Sequence, residues 1–182
     1  MRILGIDPGL RATGYGVVDY DRNHCALVEG GLIETKTGVD LPERLASIYR
    51  GIDEVTLQFE PEVAVVERLF AQYKHPATAI LMGHARGVVL LALTHRGLPV
   101  MSYPASLVKR ALVGNGRAGK AQIAGMVAQL LSISLDDVAY DVSDALALAI
   151  CHSTPWARAM GSSEDSREAD LAALIHERGR KS

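Results

Sequence analysis

Two patterns of hydrophobic residues recur along the chain, and each predicts a different kind of element. Short apolar runs bounded by Gly, Pro or polar clusters predict strands at 2–7, 15–20, 26–35, 63–67 and 99–103. Apolar residues at three- and four-residue steps predict helices at 41–59, 76–95, 104–112, 119–131 and 142–157. Three strands come first and then strands alternate with helices. We therefore expect an α/β fold in which a mixed five-stranded sheet, three antiparallel strands followed by two parallel ones, carries helices on both faces.

Two of these segments carry sharper signals. The helix at 41–59 follows Asp40, a good N-cap residue, and has Pro42 in its first turn. The strand at 63–67 is an unbroken apolar run that closes on Glu67, as expected for a central strand covered on both faces.

The length and composition fit one compact domain with a short appendage. The chain has 182 residues, 48% of them hydrophobic, which is ample for a buried core. We expect this domain to span 1–157. Residues 158–182 are charged, include Gly-Ser-Ser and carry one short apolar stripe, so we expect a flexible tail.

Membrane insertion and disulfide bonding are both disfavoured. The purely apolar runs are too short to cross a bilayer, and no basic-then-apolar leader follows Met1. Cys25 and Cys151 are far apart and lack neighbouring His or Cys at ligand spacing, so they are read as small buried hydrophobes. The pattern predicts a cytoplasmic protein with no membrane partner.

Charge is segregated along the chain, although the net charge is only -2. Residues 68–135 contain no Asp or Glu and carry +8, so the rest carries -10. A basic face beside an acidic pocket is compatible with a polyanionic partner such as nucleic acid, but a merely solvated basic surface has the same composition.

Four acids occupy positions from which they could converge. Asp7 closes the first strand, Glu67 closes the fourth, and Asp141 and Asp144 open the last helix. Their i, i+3 spacing places Asp141 and Asp144 on one helix face, with Cβ atoms roughly 5–6 Å apart.

Such a set suits phosphodiester hydrolysis. Two cations about 3.5–4 Å apart activate water, neutralise the phosphate and stabilise the leaving oxygen. Mg²⁺ binds through a few carboxylates and keeps waters for the substrate phosphate. We therefore predict that Asp7, Glu67, Asp141 and Asp144 are metal ligands and catalytic residues holding two such ions.

Each acid also has an ordinary structural interpretation. Asp7 precedes Pro-Gly as a turn residue often does, Glu67 could end a strand in a salt bridge, and Asp141 or Asp144 could cap a helix. Two features favour the metal site: Glu67 follows a sheet-centre run, and the last helix continues as a fully apolar segment. Acids beside a core are costly unless they are paired or metal-bound.

Four motifs resemble one known family in order and spacing. They are GIDPG at 5–9, TGYG at 13–16, VVERLF at 65–70 and DVSDALA at 141–147. Together they resemble the RuvC-type Holliday-junction resolvases from residue 1 to about residue 157.

The resemblance implies an RNase H-like fold and a homodimer that nicks four-way DNA junctions in recombination and repair with Mg²⁺ or Mn²⁺. The branch-migration proteins RuvA and RuvB are implied as partners. By position, the four acids match the family's metal ligands, Phe70 matches its base-contacting aromatic, and Lys109 and Lys120 match its basic residues for DNA contact or catalysis.

The DNA contacts also have a basis in the residues themselves. Phe70 leads into a polar loop, where an exposed aromatic could stack on a base or fold back onto the sheet. Lys109 and Lys120 flank the Gly114-Asn115-Gly116 loop and could approach phosphates. Further predicted DNA contacts from the basic segment are Arg68, Lys74 and Arg117.

The helix at 76–95 is the candidate dimer contact. Ala79, Gly83, Gly87 and Leu90 form a stripe of mostly small side chains, which lets two helices approach closely. The same stripe would serve equally well to pack the helix on its own sheet.

Three other functions compete with junction cleavage. A RuvC-like nuclease acting on structured ribosomal RNA precursors would share the fold, and a binding-only scaffold would share the surface. A sugar kinase or actin-like ATPase has a similar first strand but needs a second lobe, for which 182 residues leave little room.

Overall fold

The computed structural model describes residues 1–22, 24–68, 76–134, 139–160 and 162–163. The strands are β1 (Arg2–Asp7), β2 (Ala12–Asp21), β3 (His24–Glu34), β4 (Val63–Glu67), β5 (Val100–Tyr103) and β6 (Ser162–Ser163). The helices are α1 (Leu41–Phe59), α2 (Pro76–His95), α3 (Ala105–Val113), α4 (Lys120–Leu131), α5 (Tyr140–Ser153) and α6 (Pro155–Met160).

The sheet has the predicted mixed topology. Its strand order is β3-β2-β1-β4-β5-β6, in which β1, β2 and β3 are antiparallel neighbours and β1, β4 and β5 are parallel ones. The two-residue β6 pairs antiparallel with β5 and was not predicted. A strand this short carries no alternation that a sequence could reveal.

The predicted C-terminal end of the last helix is wrong. In place of one helix over 142–157, α5 ends at Ser153 and α6 begins at Pro155. Proline has no N–H to donate and disfavours helical backbone at the residue before it. Thr154 accordingly lies in an extended conformation, with φ of -82° and ψ of 130°.

Side chains of β1 point to both faces of the sheet and belong to two separate hydrophobic cores. Ile3 packs with α3, α4 and α5 on one face, whereas Leu4 and Ile6 pack with α1 and α2 on the other. The prediction of helices on both faces is thereby confirmed. Asp40 does precede α1, but its side chain makes no capping hydrogen bond.

Glycines let α5 lie directly on the centre of the sheet. A methyl group on Gly5 would collide with the carbonyl oxygen of Ala145 and come within 2.9 Å of the Ala149 nitrogen. One on Gly14 would collide with the carbonyl oxygen of Asp141. The absence of Cβ atoms in β1 and β2 therefore sets how closely the start of α5 approaches the end of β1.

One face of α2 lies in the core and the other is exposed. Ala85, Val89, Ala92 and Leu93 are fully buried among α1 and the sheet, whereas Ile80, Leu81 and Leu91 are exposed. By length and composition, 77–95 could span a bilayer, with a mean hydropathy of 1.5. The four buried side chains show that protein, not solvent or lipid, covers the inner face.

We predict that Gly5→Ala destabilises the domain by about 3 kcal/mol, because the added methyl group meets main-chain atoms that no rotamer change can move. Gly125→Ala is the matched control, since Gly125 lies inside α4 with open space around it. That variant should gain about 0.5–1 kcal/mol from helix propensity. Urea unfolding at one protein concentration measures both, and a Gly5→Ala variant as stable as the wild type would contradict the close approach.

Candidate active site

Asp7 and Glu67 lie side by side at the carboxyl edge of the sheet. Their strands are parallel neighbours, with Ile6 paired to Val66, so the next residue of each strand occupies the same edge. The two half-buried carboxyl groups are close enough that each influences the pKa of the other.

The first turns of α5 bring the other two acids to the same edge. Carboxylate oxygens of Asp7, Asp141 and Asp144 all lie within 4.8 Å of one another, and each side chain is half-buried. Glu67 is outside that group of three but lines one cavity with Asp7 and Asp144. The structure thus assembles the four predicted acids from β1, β4 and α5.

Two of the four acids, Asp7 and Glu67, have raised pKa values. Burial raises the pKa of Asp7 to about 8, and the nearby charges of Glu67, Asp144 and Asp141 add to the effect. Burial and Asp144 also raise the pKa of Glu67, against the opposing influence of the Asp7 hydrogen bond, Lys120 and Lys109. Ionising both acids without a bound cation is therefore unfavourable, first because they are buried and then because other carboxylates lie nearby.

The two predicted lysines both line the cavity that holds the acids. Lys120 Nζ donates to Asp144 Oδ2 at 2.9 Å, and this contact raises the pKa of Lys120. Lys109 projects from α3 into the wall of the same cavity. They come from opposite sides of the 114–119 loop, as their positions in the sequence suggested.

The cavity joins this charged rim to an apolar floor. Its volume is about 260 Å³, and its apolar lining comes from Met82, Ala105, Val108, Ile123, Ala147 and Leu148. The site thus offers charge at one end and a water-poor wall at the other, which strengthens electrostatic interactions within it.

Arg86 supports Glu67 from behind and was not singled out by the sequence analysis. Its guanidinium donates to the Glu67 carbonyl oxygen at 3.1 Å and to Ser102 Oγ at 2.9 Å, joining α2 to β4 and β5. The sequence feature that could have identified this residue is a single charged side chain within the otherwise apolar stretch 85–93 of the predicted helix. A charged group there needs buried polar partners.

Comparison with known proteins decides between the families that share such a fold. Residues 3–152 match the family model described as RuvC, crossover junction endodeoxyribonuclease. The chain belongs to the RuvC family.

Curated relatives agree over most of the chain. The crossover junction endodeoxyribonuclease RuvC of Burkholderia pseudomallei (strain 668) is 47% identical over 152 residues, covering 84% of this chain and 83% of that protein. That of Citrifermentans bemidjiense is 48% identical over 153 residues, covering 84% and 92%. This membership contradicts the kinase or ATPase alternative and identifies the enzyme class as a crossover junction endodeoxyribonuclease.

Solved structures support the RuvC fold. Thermus thermophilus RuvC in complex with Holliday junction substrate has a TM-score of 0.82 and 33% identity, covering 90% of this chain and 99% of that one. The yeast mitochondrial Holliday junction resolvase Ydc2, at 14% identity, has a TM-score of 0.60 over 81% of this chain and 75% of its own. That second likeness concerns the fold alone.

Four further residues of this RuvC domain were predicted to contact DNA, and the structure describes two of them. Arg68 directly follows Glu67, and its backbone N–H donates to the Tyr103 carbonyl oxygen at 2.9 Å. Arg117 is exposed in the loop before α4, where its backbone N–H donates to Asn115 Oδ1. Phe70 and Lys74 lie outside the described residues.

His152, two turns beyond Asp144 on α5, is part of the core. It is buried, and its Nδ1 shares a 2.7 Å hydrogen bond with the Tyr103 hydroxyl. Burial and the nearby Arg158 lower the pKa of His152 to about 4, so it is neutral at physiological pH. This pair fastens β5 to α5 behind the acids.

The donor set of this RuvC site fits a divalent metal. Three carboxylate oxygens at mutual distances of 4.8 Å or less offer hard ligands of the kind that Mg²⁺ and Mn²⁺ take. Burial, followed by the nearby charges of Glu67, Asp144 and Asp141, raises the pKa of Asp7 in the same place. Both cysteines are free thiols and neither belongs to this group; Cys151 is buried as predicted, whereas Cys25 is only half-buried.

We predict that Asp7→Asn stabilises the metal-free domain increasingly as pH rises. The folded pKa lies above the value of about 3.9 expected for unfolded Asp, so wild-type folding loses stability between about pH 4 and 8. At pH 8 in EDTA, the variant should melt on the order of 5 °C higher than the wild type, and the gap should shrink at pH 5.

Asp21→Asn is the control for removing one charge, because Asp21 is exposed at the end of β2. Its melting temperature should follow that of the wild type across the same pH range. A gap between Asp7→Asn and wild type that does not grow with pH would contradict the charge accumulation at the acid cluster.

Proposed function

We propose that this chain resolves four-way DNA junctions by symmetric, metal-dependent nicking of two strands, in homologous recombination and DNA repair. The observation that carries the proposal is the approach of Asp7, Asp141 and Asp144 within 4.8 Å at a cavity that Lys109 and Lys120 also line. A RuvC relative has been solved with Holliday junction substrate, and membership of that family favours junction DNA over a ribosomal RNA precursor.

Asp7, Asp141 and Asp144, joined by Glu67, are the proposed ligands and catalytic acids, holding two Mg²⁺ or Mn²⁺ ions. When bound, such a pair lowers the pKa of water and stabilises charge on the phosphate and the leaving oxygen. Asp7 and Glu67 must both be ionised to act as ligands. Lys109 and Lys120 lower the pKa of Glu67 and so favour its ionised form.

The protein's own groups then have distinct tasks. Arg86 holds the main chain at Glu67 in place, and the apolar floor limits the water that can reach the phosphate. Lys109 and Lys120 stand at the rim, where they can pair with phosphate oxygens of the bound strand. Phe70, Arg68, Lys74 and Arg117 are proposed to extend this DNA surface along the basic segment.

A homodimer would supply the second active site needed for paired cuts, because a two-fold axis places two identical sites symmetrically. The exposed face of α2 is the proposed contact. No atom outside their own helix lies within 4 Å of a methyl group built on Gly83 or Gly87, so these glycines do not serve packing against the described part of the subunit. Exposed Ile80, Leu81 and Leu91 add apolar area.

The cellular setting is proposed from the family. We place the enzyme in the bacterial cytoplasm, acting on nucleoid DNA together with the branch-migration proteins RuvA and RuvB. Co-purification on a four-way junction tests these partners separately from catalysis.

We expect Asp144→Asn to reduce nicking of a synthetic four-way junction by about 100-fold or more while junction affinity stays within a few-fold, because a metal ligand is lost and the basic surface remains. Asp7→Asn, Glu67→Gln and Asp141→Asn should behave alike. Wild type and variants are compared with and without Mg²⁺ or Mn²⁺ by gel assay of strand cleavage.

Glu54→Gln is the control acid, since Glu54 is exposed on α1 away from the cluster, and it should cleave like the wild type. Duplex DNA and structured RNA serve as competing substrates. Wild-type cleavage that needs no divalent metal, or that prefers structured RNA, would contradict the proposal. Junction binding without any nicking would instead support the binding-only scaffold.

For the dimer, we expect Gly83→Leu with Gly87→Leu to yield folded monomers, because two large side chains keep the helices apart while the surrounding space accommodates them within the subunit. Sedimentation measures the mass, and junction products show whether paired cuts become unpaired. Gly125→Leu is the control and should remain dimeric. A double variant that stays dimeric would place the interface elsewhere.

A further inference from the structure

An exposed tyrosine lies beside the acid cluster and belongs to neither hydrophobic core. Tyr140 is the first residue of α5, directly before Asp141, and 59% of it is exposed. Among the described side chains, it is the one aromatic residue that ranks with the exposed large hydrophobics. Its side chain makes no hydrogen bond or ring contact with another described residue.

The helix geometry points Tyr140 toward the active site. Tyr140, Asp144, Ala147 and Leu148 follow one another at i, i+4, i+7 and i+8, which places them on one stripe of α5. The last three line the cavity that holds the acids and lysines. Tyr140 therefore extends the cavity wall outward by one turn.

Neighbouring charges define what this ring would meet. Asp144, one turn inward, accepts the Lys120 hydrogen bond, and Lys120 begins α4 beside it. When Lys120 attracts a phosphate to this rim of the cavity, the nucleotide that carries the phosphate, or the adjoining nucleotide, lies beside the first turn of α5. Side chains at i and i+4 are roughly 5–6 Å apart at Cβ, so the tyrosine ring reaches that nucleotide.

We propose that Tyr140 stacks on a nucleobase flanking the scissile phosphate and so acts as a binding residue for the cleaved strand. The inference rests on the proposed function, since it needs a nucleic-acid strand at the acids. Base stacking on an aromatic ring tolerates any base, so the effect is on affinity and on the alignment of the strand rather than on base identity. The base concerned is one that is already unstacked from its neighbours in the bound junction, so that the tyrosine ring is its stacking partner.

The test measures binding of a four-way junction by full-length protein in EDTA, by fluorescence anisotropy at several salt concentrations. Tyr140→Ala should weaken binding about tenfold, whereas Tyr140→Phe and Tyr140→Trp should stay near wild type because they keep a stacking ring. The dependence of log affinity on log salt should keep its slope in Tyr140→Ala, since no phosphate contact is lost.

A local probe reports the stacking itself. A junction carrying 2-aminopurine next to each cleavage position should be brighter with Tyr140→Ala than with wild type or Tyr140→Phe. Leu57→Ala is the matched control, because Leu57 is 60% exposed on α1 and takes no part in the site; it should bind and quench like the wild type.

Two failures are distinguishable. If wild type binds and nicks the junction and Tyr140→Ala matches it in affinity and in 2-aminopurine signal, the stacking role is wrong and the proposed function stands. A flattened salt slope, or equal loss in Tyr140→Phe, also overturns stacking. If the wild type neither binds nor nicks the junction, the proposed function fails and the stacking role fails with it.

Discussion

The close approach of α5 to the sheet is the constraint on which the rest of the molecule depends. Gly5 and Gly14 leave room for helix main chain where any other residue would place a Cβ atom. This approach brings the first turns of α5 level with the carboxyl ends of β1 and β4. The same packing that builds the core thus brings four acids to one place.

Assembling those acids opposes folding as long as they are unneutralised. Burial and neighbouring carboxylates raise the pKa of Asp7 and of Glu67. Lys120 offsets part of the charge through Asp144, and Lys109 contributes from the cavity wall. A divalent cation can neutralise these acids, and the regular elements β1, β4 and α5 hold all four of them in place without a ligand.

Much of the fold could be predicted because it depends on local patterns. The bounds of β1, β4 and α2 follow from apolar runs and turn residues, and the acids at the ends of β1 and β4 identified the site edge. Where the prediction failed, the cause was also local: Pro155 divides the last helix, and Ser162–Ser163 is too short to show a pattern.

Other features could not be predicted because they arise from contacts between distant segments. The hydrogen bonds of Arg86 join residues 16 and 19 positions apart, and nothing in the apolar run around it specifies its partners. Lys120 meets Asp144 only after α4 packs on α5. Whether Gly83 and Gly87 lie at the surface or in the core likewise depends on which face of α2 packs against the rest of the domain.

The exposed apolar face of α2 links the stability of the domain to its surroundings. A partner that covers Ile80, Leu81 and Leu91 binds the folded chain alone, because unfolding destroys the surface those side chains share. By mass action, such binding raises the apparent melting temperature with the partner's concentration. If the partner is a second copy of the chain, thermal stability becomes a function of dilution, and a melting temperature has meaning only together with the protein concentration at which it was measured.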